Sequence, residues 1–166
     1  LAISSATTIH VGHTLGRGDQ ERARFAGLLG VGMCASVMAL SAIGIVLFDD
    51  RIASLYTNDP AVREIAAGLL LLAAVFQLSD GVQVGAAGAL RGFKDTAIPM
   101  TMCIFSYWIV GFPLAYIFGV RQGGGPPYVW MGFIAGLTVA ATLLVSRYLY
   151  VSRRPLPASA VGLGVP

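Results

Sequence analysis

Apolar residues occur along this chain in long stretches, and most of the charged residues lie between them. Four stretches are long enough to cross a membrane as helices, which takes about 20 predominantly apolar residues. They cover about residues 23–48, 61–90, 96–120 and 128–151, while residues 1–14 have the serine- and threonine-dotted character of the end of a further helix. The pattern therefore predicts an all-α fold, a polytopic transmembrane helix bundle made of the end of one span plus four full spans.

The composition agrees with a membrane protein. Charged residues make up 11% of the chain and hydrophobic residues 56%, whereas soluble domains carry about a quarter charged residues. We therefore treat residues 1–152 as a fragment of one transmembrane lobe, and we expect residues 153–166, with their prolines and glycines, to form a disordered cytoplasmic tail. Because the chain begins at Leu1 and no signal-peptide pattern precedes its first apolar stretch, we expect it to be the carboxy-terminal piece of a larger protein.

The basic residues predict the orientation of the spans. If the four full spans alternate in direction, one side of the membrane collects most of these residues, and the other has only Arg51, Arg63 and Arg121. By the positive-inside rule the first side is the cytoplasm, which predicts a multi-pass protein of the bacterial inner membrane with a cytoplasmic carboxy terminus. The net charge of +3 does not indicate nucleic-acid binding, because the basic residues lie scattered at helix ends without stacking aromatics. The cytoplasmic side holds Arg17, Arg22, Arg24, Arg91, Lys94, Arg153 and Arg154.

Asp80 is the residue of this chain that most strongly indicates a function. It lies far inside the second full span, and no basic residue occurs between Glu64 and Arg91. About 11 residues, or roughly 16 Å of helix, separate it from Arg91, which places it near mid-membrane. A carboxylate at this depth is costly, so it usually marks a substrate, ion or proton site. The alternative is a structural carboxylate that is hydrogen-bonded to neighbouring helices.

A helical projection of the second full span separates two faces. Phe76, Asp80 and Gln83 fall on one stripe, with Gln77 at its edge. The two amides are candidate cation ligands or helix-to-helix hydrogen-bonding groups, and the ring of Phe76 stacks on a cationic substrate or packs in the bundle. A second row, about a third of a turn away, consists of small residues that allow close helix packing. This glycine row consists of Gly81, Gly85, Gly88 and Gly92.

The third full span contains weaker candidates. Pro113, together with Gly111, should kink this span and free backbone carbonyls, which serves gating or merely shape. Three aromatic side chains line a drug-binding surface or act as packing groups and interface anchors. These are Tyr107, Trp108 and Tyr116.

No pattern in the chain indicates an enzyme, a metal site or a bound cofactor. His10 and His13 have no carboxylate at ligand spacing. Cys34 and Cys103 lie inside predicted spans without disulfide or metal spacing, and we interpret them as small packing residues. Nothing matches a Ser-His-Asp set, a nucleotide-binding loop or a zinc motif.

Several segments together resemble one transporter family. Residues 76–83, FQLSDGVQ, and residues 88–95, GALRGFKD, resemble the tenth helix and the following cytoplasmic turn of multidrug and toxic compound extrusion (MATE) transporters of the NorM branch. Residues 11–19, VGHTLGRGD, resemble the turn after the eighth helix of that family, and residues 106–113, SYWIVGFP, resemble its eleventh helix. The resemblance extends from Leu1 to about Val151 in the right order and spacing.

The resemblance implies a twelve-helix, two-lobed antiporter that expels organic cations in exchange for sodium ions or protons, without a cofactor. This chain is then most of the carboxy-terminal lobe, and its partners are the missing amino-terminal lobe, the lipid bilayer and the organic cations. Asp80 matches the membrane-embedded acid of the family's tenth helix. Phe76 stands where the family often has a tyrosine, which leaves the coupling ion open. Other acids that the family uses lie on its first and seventh helices, outside this chain.

Two other functions remain as alternatives. A lipid-linked oligosaccharide flippase of related architecture should carry several basic residues within its spans to meet pyrophosphate, whereas the middles of these spans contain one acid, Asp80, and no base. A non-transporting membrane scaffold needs no carboxylate at this depth. The sequence therefore favours cation export.

Overall fold

The computed structural model describes residues 1–56 and 59–154 as helices joined by short turns. α1 is Ala2–Gly16, α2 is Gln20–Tyr56 and α3 is Pro60–Gly92. The third full span, Ala97–Arg121, is one continuous helical segment that contains α4 and α5. The last span is α6, Pro126–Val151.

The prediction of a helical transmembrane bundle is confirmed. The described part of the chain contains no strand, and four of its helices are long and apolar enough to cross a membrane. The expected disordered tail falls mainly on residues 155–166, which lie outside the described residues. The four candidate spans are Gln20–Asp49, Val62–Gly92, Ala97–Arg121 and Pro126–Val151.

α2 is longer than its apolar stretch predicts. The helix runs to Tyr56, but its backbone leaves the helical region at Phe48, with φ −124° and ψ 17°. This kink falls where the apolar stretch ends and Asp49 begins a charged segment. The apolar part of α2 therefore ends near residue 48, as the hydropathy pattern predicts, and a short second helix follows it.

α3 is the central helix and contacts α1, α2 and α6. Along the glycine row its backbone comes close to the two helices that precede it. A Cβ atom added at Gly85 would stand 2.8 Å from Val31 Cα, and one at Gly88 would stand 2.7 Å from the Ser4 carbonyl oxygen. No side chain fits at such distances without moving backbone, so these contacts depend on glycine. The other two glycines of the row, Gly81 and Gly92, lie equally close to α2 and α1.

Hydrogen bonds from small side chains reinforce the contact between α1 and α3. The Ser4 hydroxyl donates to the Val84 carbonyl oxygen at 2.8 Å, and the Thr8 hydroxyl donates to the Gly88 carbonyl oxygen at 2.8 Å. Such bonds require the backbones to be near each other, which the glycine row allows. On another side of α3, the hydroxyls of Ser79 and Thr138 lie 2.9 Å apart and join α3 to α6.

The third full span is widened rather than regular. α4, Ala97–Phe105, leads into a π-helical stretch, Ser106–Gly111, and α5, Phe112–Leu114, is followed by a second π-helical stretch, Ala115–Arg121. Pro113 lies in α5, and the flanking residues keep helical backbone angles. Because proline lacks an N–H and crowds the preceding turn, wider hydrogen bonding on both sides accommodates it without breaking the helix. A gating role for Pro113 stays a prediction.

A partly buried ion pair closes the cytoplasmic end predicted for α3 and α6. Arg147 Nε lies 2.8 Å from Asp95 Oδ2, and only 19% and 14% of these two side chains are exposed. Nearby, the Tyr148 hydroxyl donates to the Arg24 carbonyl oxygen at 2.6 Å. The turn after α3 and the start of α2 are therefore both attached to the end of α6.

The glycine row predicts a large difference between two glycines of the same helix. Gly85→Leu should overpack the contact with Val31 and cost at least about 1–3 kcal/mol, the usual range for overpacking. Gly68 also lies in α3, but a Cβ atom added there would have nothing within 4 Å, so Gly68→Leu serves as the matched control. We expect a lower thermal unfolding temperature and folded yield in detergent for Gly85→Leu alone. Equal values for the two variants would contradict the packing role.

Candidate functional site

Asp80 lies on α3, 12 residues before Gly92, the last residue of the helix, or about 18 Å along the axis. Its side chain is partly buried. Within the part of the chain that the structure describes, no hydrogen bond or salt bridge reaches its carboxylate. The neighbouring helices of this chain therefore do not provide the hydrogen bonds that a structural carboxylate would need.

The two glutamines near Asp80 each leave an oxygen unused. Gln77 and Gln83 lie three residues before and after Asp80, so they flank it on the surface of α3, each about 60° of rotation to one side. The side-chain oxygens of both glutamines, Gln77 Oε1 and Gln83 Oε1, are buried without a hydrogen-bond partner. Buried acceptors without a partner are uncommon in native structures and call for an explanation such as an ion or a ligand.

The nitrogen of Gln83 connects α3 to the third full span. Gln83 Nε2 donates a hydrogen bond to the Tyr107 hydroxyl oxygen and lies 3.7 Å from Cys103 Sγ. Tyr107 belongs to the π-helical stretch Ser106–Gly111. At Gln83 the stripe that contains Asp80 therefore contacts the third full span, whereas the glycine row lies against α1 and α2.

Phe76 packs against the last span. Its ring meets that of Trp130 edge to face, with the centroids 5.8 Å apart and the planes at 79°. This contact is the geometry that aromatic pairs prefer. Phe76 therefore lies one turn before Asp80 and packs on Trp130. Its side chain has no hydroxyl that could bind an ion.

The remaining sequence candidates stay apart from this site. His10 and His13 are exposed on α1, and the described residues contain no group of three potential metal ligands among His, Cys, Asp and Glu. Trp108 and Tyr116 are exposed on the outside of the third full span. Tyr107 is the one aromatic of that span that joins the Asp80 stripe. A tyrosine hydroxyl inside a span needs a polar partner. From the sequence, this requirement could have suggested that Tyr107 bonds to a glutamine of another span.

The comparisons with known proteins identify the family of this chain. A model of the MatE family matches residues 1–117, which include Asp80, Gln83 and Tyr107. The chain belongs to the MatE family. The resemblance to the NorM branch is confirmed by relatives that carry that name.

The relatives in this family are much longer than the chain. The chain is 47% identical to the "Probable multidrug resistance protein NorM" of Xanthomonas axonopodis pv. citri (strain 306), over 93% of this chain and 34% of that protein. It is 43% identical to the "Multidrug resistance protein PmpM" of Pseudomonas aeruginosa, over 92% and 33%, and 41% identical to the "Multidrug resistance protein MdtK" of Pectobacterium atrosepticum, over 93% and 35%. The chain thus spans about a third of the length of these MatE relatives.

Proposed function

We propose that this chain forms one wall of a secondary antiporter that exports organic cations or drugs in exchange for sodium ions or protons. The observation that carries the proposal is Asp80, a carboxylate at mid-span without a hydrogen bond or salt bridge in the described structure. The relatives of this chain in the MatE family are named multidrug resistance proteins, which supports drug export as the transport function.

One carboxylate that serves two cations in turn accounts for exchange. In a low-dielectric environment an ionised and unpaired carboxylate costs several kcal/mol, so Asp80 is favoured when it is protonated, bound to a metal cation or paired with an organic cation. These three states exclude each other because they use the same negative charge. Entry of the coupling ion from outside therefore displaces the organic cation, and the substrate displaces the ion on the other side. No bound cofactor takes part in this scheme.

The complete transporter requires more helices than this chain supplies. Secondary transporters bind substrates and coupling ions near the membrane midplane, at the interface between two structural repeats. The relatives are about three times as long as the segment that matches. We infer that the chain is most of the carboxy-terminal lobe of a twelve-helix protein and that an amino-terminal lobe forms the other wall of the cavity.

We further propose a bacterial inner-membrane location with the carboxy terminus in the cytoplasm. The turn between α3 and α4 carries Arg91 and Lys94, whereas the opposite end of these helices has acidic residues close to its few arginines. An excess of basic residues in short loops marks the cytoplasmic side.

The central prediction concerns the charge of Asp80. In the complete transporter, Asp80→Asn keeps the size of the side chain and removes the charge. We expect folded yield to stay near that of the wild type. Gradient-driven export of a fluorescent organic cation from vesicles should fall at least about tenfold, the effect of losing about 1.4 kcal/mol of favourable interaction. Glu64→Gln, near the start of the same helix, is the matched control and should leave export unchanged.

Two results would contradict the proposal. Loss of folding in Asp80→Asn with normal specific activity in the surviving protein would assign Asp80 a structural role. Substrate affinity of the wild type that varied with neither sodium concentration nor pH would contradict shared use of one negative charge. Export of an anionic lipid-linked sugar instead of an organic cation would support the flippase alternative.

The orientation is tested with single cysteines in a variant whose native cysteines, Cys34 and Cys103, are replaced by alanine. Thr96→Cys, in the turn before α4, should react with a membrane-impermeant maleimide only after permeabilisation of the cells. Gln122→Cys, at the other end of the same span, should react in intact cells. Both native residues at these positions are exposed and have negative φ angles, so cysteine should be tolerated. Labelling of both positions from one side would overturn the orientation.

A further inference from the structure

An open groove runs between α1 and α2, and no residue of α3 lines it. Its volume is about 660 Å³, within the range of about 300–1,000 Å³ that is typical of ligand pockets. On α2 the lining residues include Phe25, Leu29 and Met33, which recur every fourth residue and therefore lie on one face of the helix. On α1 they include Ala6 and His10, which are also one turn apart. The groove is thus separate from the Asp80 stripe.

The base of the groove is apolar, although it contains a threonine. A Cβ atom added at Gly30 would overlap the side chain of Thr7, so α1 and α2 pack closely at this point. The Thr7 hydroxyl donates to the Ile3 carbonyl oxygen of its own helix at 2.8 Å. Because this bond satisfies the hydroxyl, the base of the groove requires no polar partner.

The walls of the groove suit a hydrocarbon chain. Phe25, Leu29 and Met33 are exposed along α2. From Arg22, at one end of the groove, to Met33, at the other, there are 11 residues, or about 16 Å of helix. Half of the hydrocarbon core of a bilayer is about 15 Å thick. The groove therefore extends over the depth of one leaflet.

The end of the groove near the turn between α1 and α2 is basic. Arg22 lies in the first turn of α2, and His10 lies in the last two turns of α1. Arg22 pairs with Asp19 through Nε, at 3.1 Å, and among the described residues its two Nη groups make no hydrogen bond. Residues 17–24 contain three arginines against one aspartate and one glutamate. Donors and an excess of positive charge at this end suit an anionic group.

The charge at one end and the apolar walls together indicate the occupant. The cytoplasmic leaflet carries anionic lipids, and basic pockets between transmembrane helices on that side bind their headgroups. A helix from the rest of a longer protein would fill the apolar part of the groove, but it would not account for basic residues at one end. A free anion would account for the basic end but not for the apolar walls.

We propose that this groove binds an anionic phospholipid of the cytoplasmic leaflet. Its phosphate interacts with Arg22 and His10, and one acyl chain lies along Phe25, Leu29 and Met33. The inference goes beyond the proposed transport function. It uses only the proposed orientation, in which the start of α2 lies at the cytoplasmic surface.

The experiment measures lipid binding to the purified complete transporter by native mass spectrometry. The probes are phosphatidylglycerol, which is anionic, and phosphatidylcholine, which is zwitterionic. Arg22→Gln should weaken the binding of phosphatidylglycerol about fivefold, the scale of one basic residue near an anionic lipid surface. Its affinity for phosphatidylcholine should equal that of the wild type, because that headgroup carries no net charge.

Arg17→Gln is the matched control. It removes the same charge from the same turn, but Arg17 does not line the groove. Its affinity for phosphatidylglycerol should stay near that of the wild type. Ala6→Trp tests the apolar part, because Ala6 is an exposed lining residue and an indole ring there would occupy the space of the acyl chain. This variant should also weaken the binding of phosphatidylglycerol, although Arg22 and His10 are unchanged.

Three results would overturn the inference. Equal weakening by Arg17→Gln and Arg22→Gln would show general attraction to the basic turn instead of a site. Unchanged binding in Ala6→Trp would show that the acyl chain does not lie in the groove. A lower folded yield of Ala6→Trp, together with unchanged phosphatidylglycerol binding in Arg22→Gln, would show that a helix of the longer protein covers the groove.

The test is independent of the proposed antiport function. Asp80→Asn leaves the groove unchanged and should bind phosphatidylglycerol as the wild type does. If it abolishes export while Arg22→Gln binds the lipid normally, antiport stands and the lipid site is wrong. If it leaves export unchanged while Arg22→Gln alone weakens lipid binding, the lipid site stands and the proposed function fails.

Discussion

The backbone contact of α3 with α1 and α2 is the constraint on which the rest of this lobe depends. Gly85 and Gly88 allow an approach that any side chain would prevent, and the hydrogen bond from Ser4 to Val84 is possible only at that distance. Because the glycine row determines which side of α3 faces α1 and α2, it also determines where the other sides point. The stripe that contains Asp80, about a third of a turn away, is thereby directed away from α1 and α2. It contacts the third full span through Gln83 and the last span through Phe76.

The Asp80 stripe is polar in a segment where lipid satisfies no polar group. In such an environment each buried donor and acceptor needs a partner within the protein, in water or in a ligand. Gln83 meets part of this need through Tyr107, yet its oxygen and that of Gln77 are left without one. The cation exchange proposed for Asp80 accounts for the unpaired carboxylate. In a non-transporting scaffold, no cation would pair with these buried polar groups, and leaving them without partners would destabilise the protein.

Contacts away from the stripe join the helices into one body. The ion pair between Asp95 and Arg147 attaches the turn after α3 to α6, and the hydroxyls of Ser79 and Thr138 join the same two helices inside the membrane. The close approach of Gly111 to Gly136 attaches the third full span to α6 as well. Because contacts both at the end of the helices and inside the membrane join them, the helices can move together as one unit. This agrees with the proposed transport mechanism, in which two lobes rock as units around a central site.

The sequence by itself determined the number and type of the spans, because about 20 consecutive apolar residues form a helix wherever backbone groups cannot bond to water. It also singled out Asp80 and separated the glycine row from the polar stripe, since helical periodicity is a local property. Only the tertiary structure decided that Tyr107 accepts from Gln83, that Phe76 packs on Trp130 and that the third full span widens around Pro113. These features depend on how residues 24 or more positions apart are brought into register, or on how a helix adapts to its neighbours. No local pattern along the chain encodes such distances.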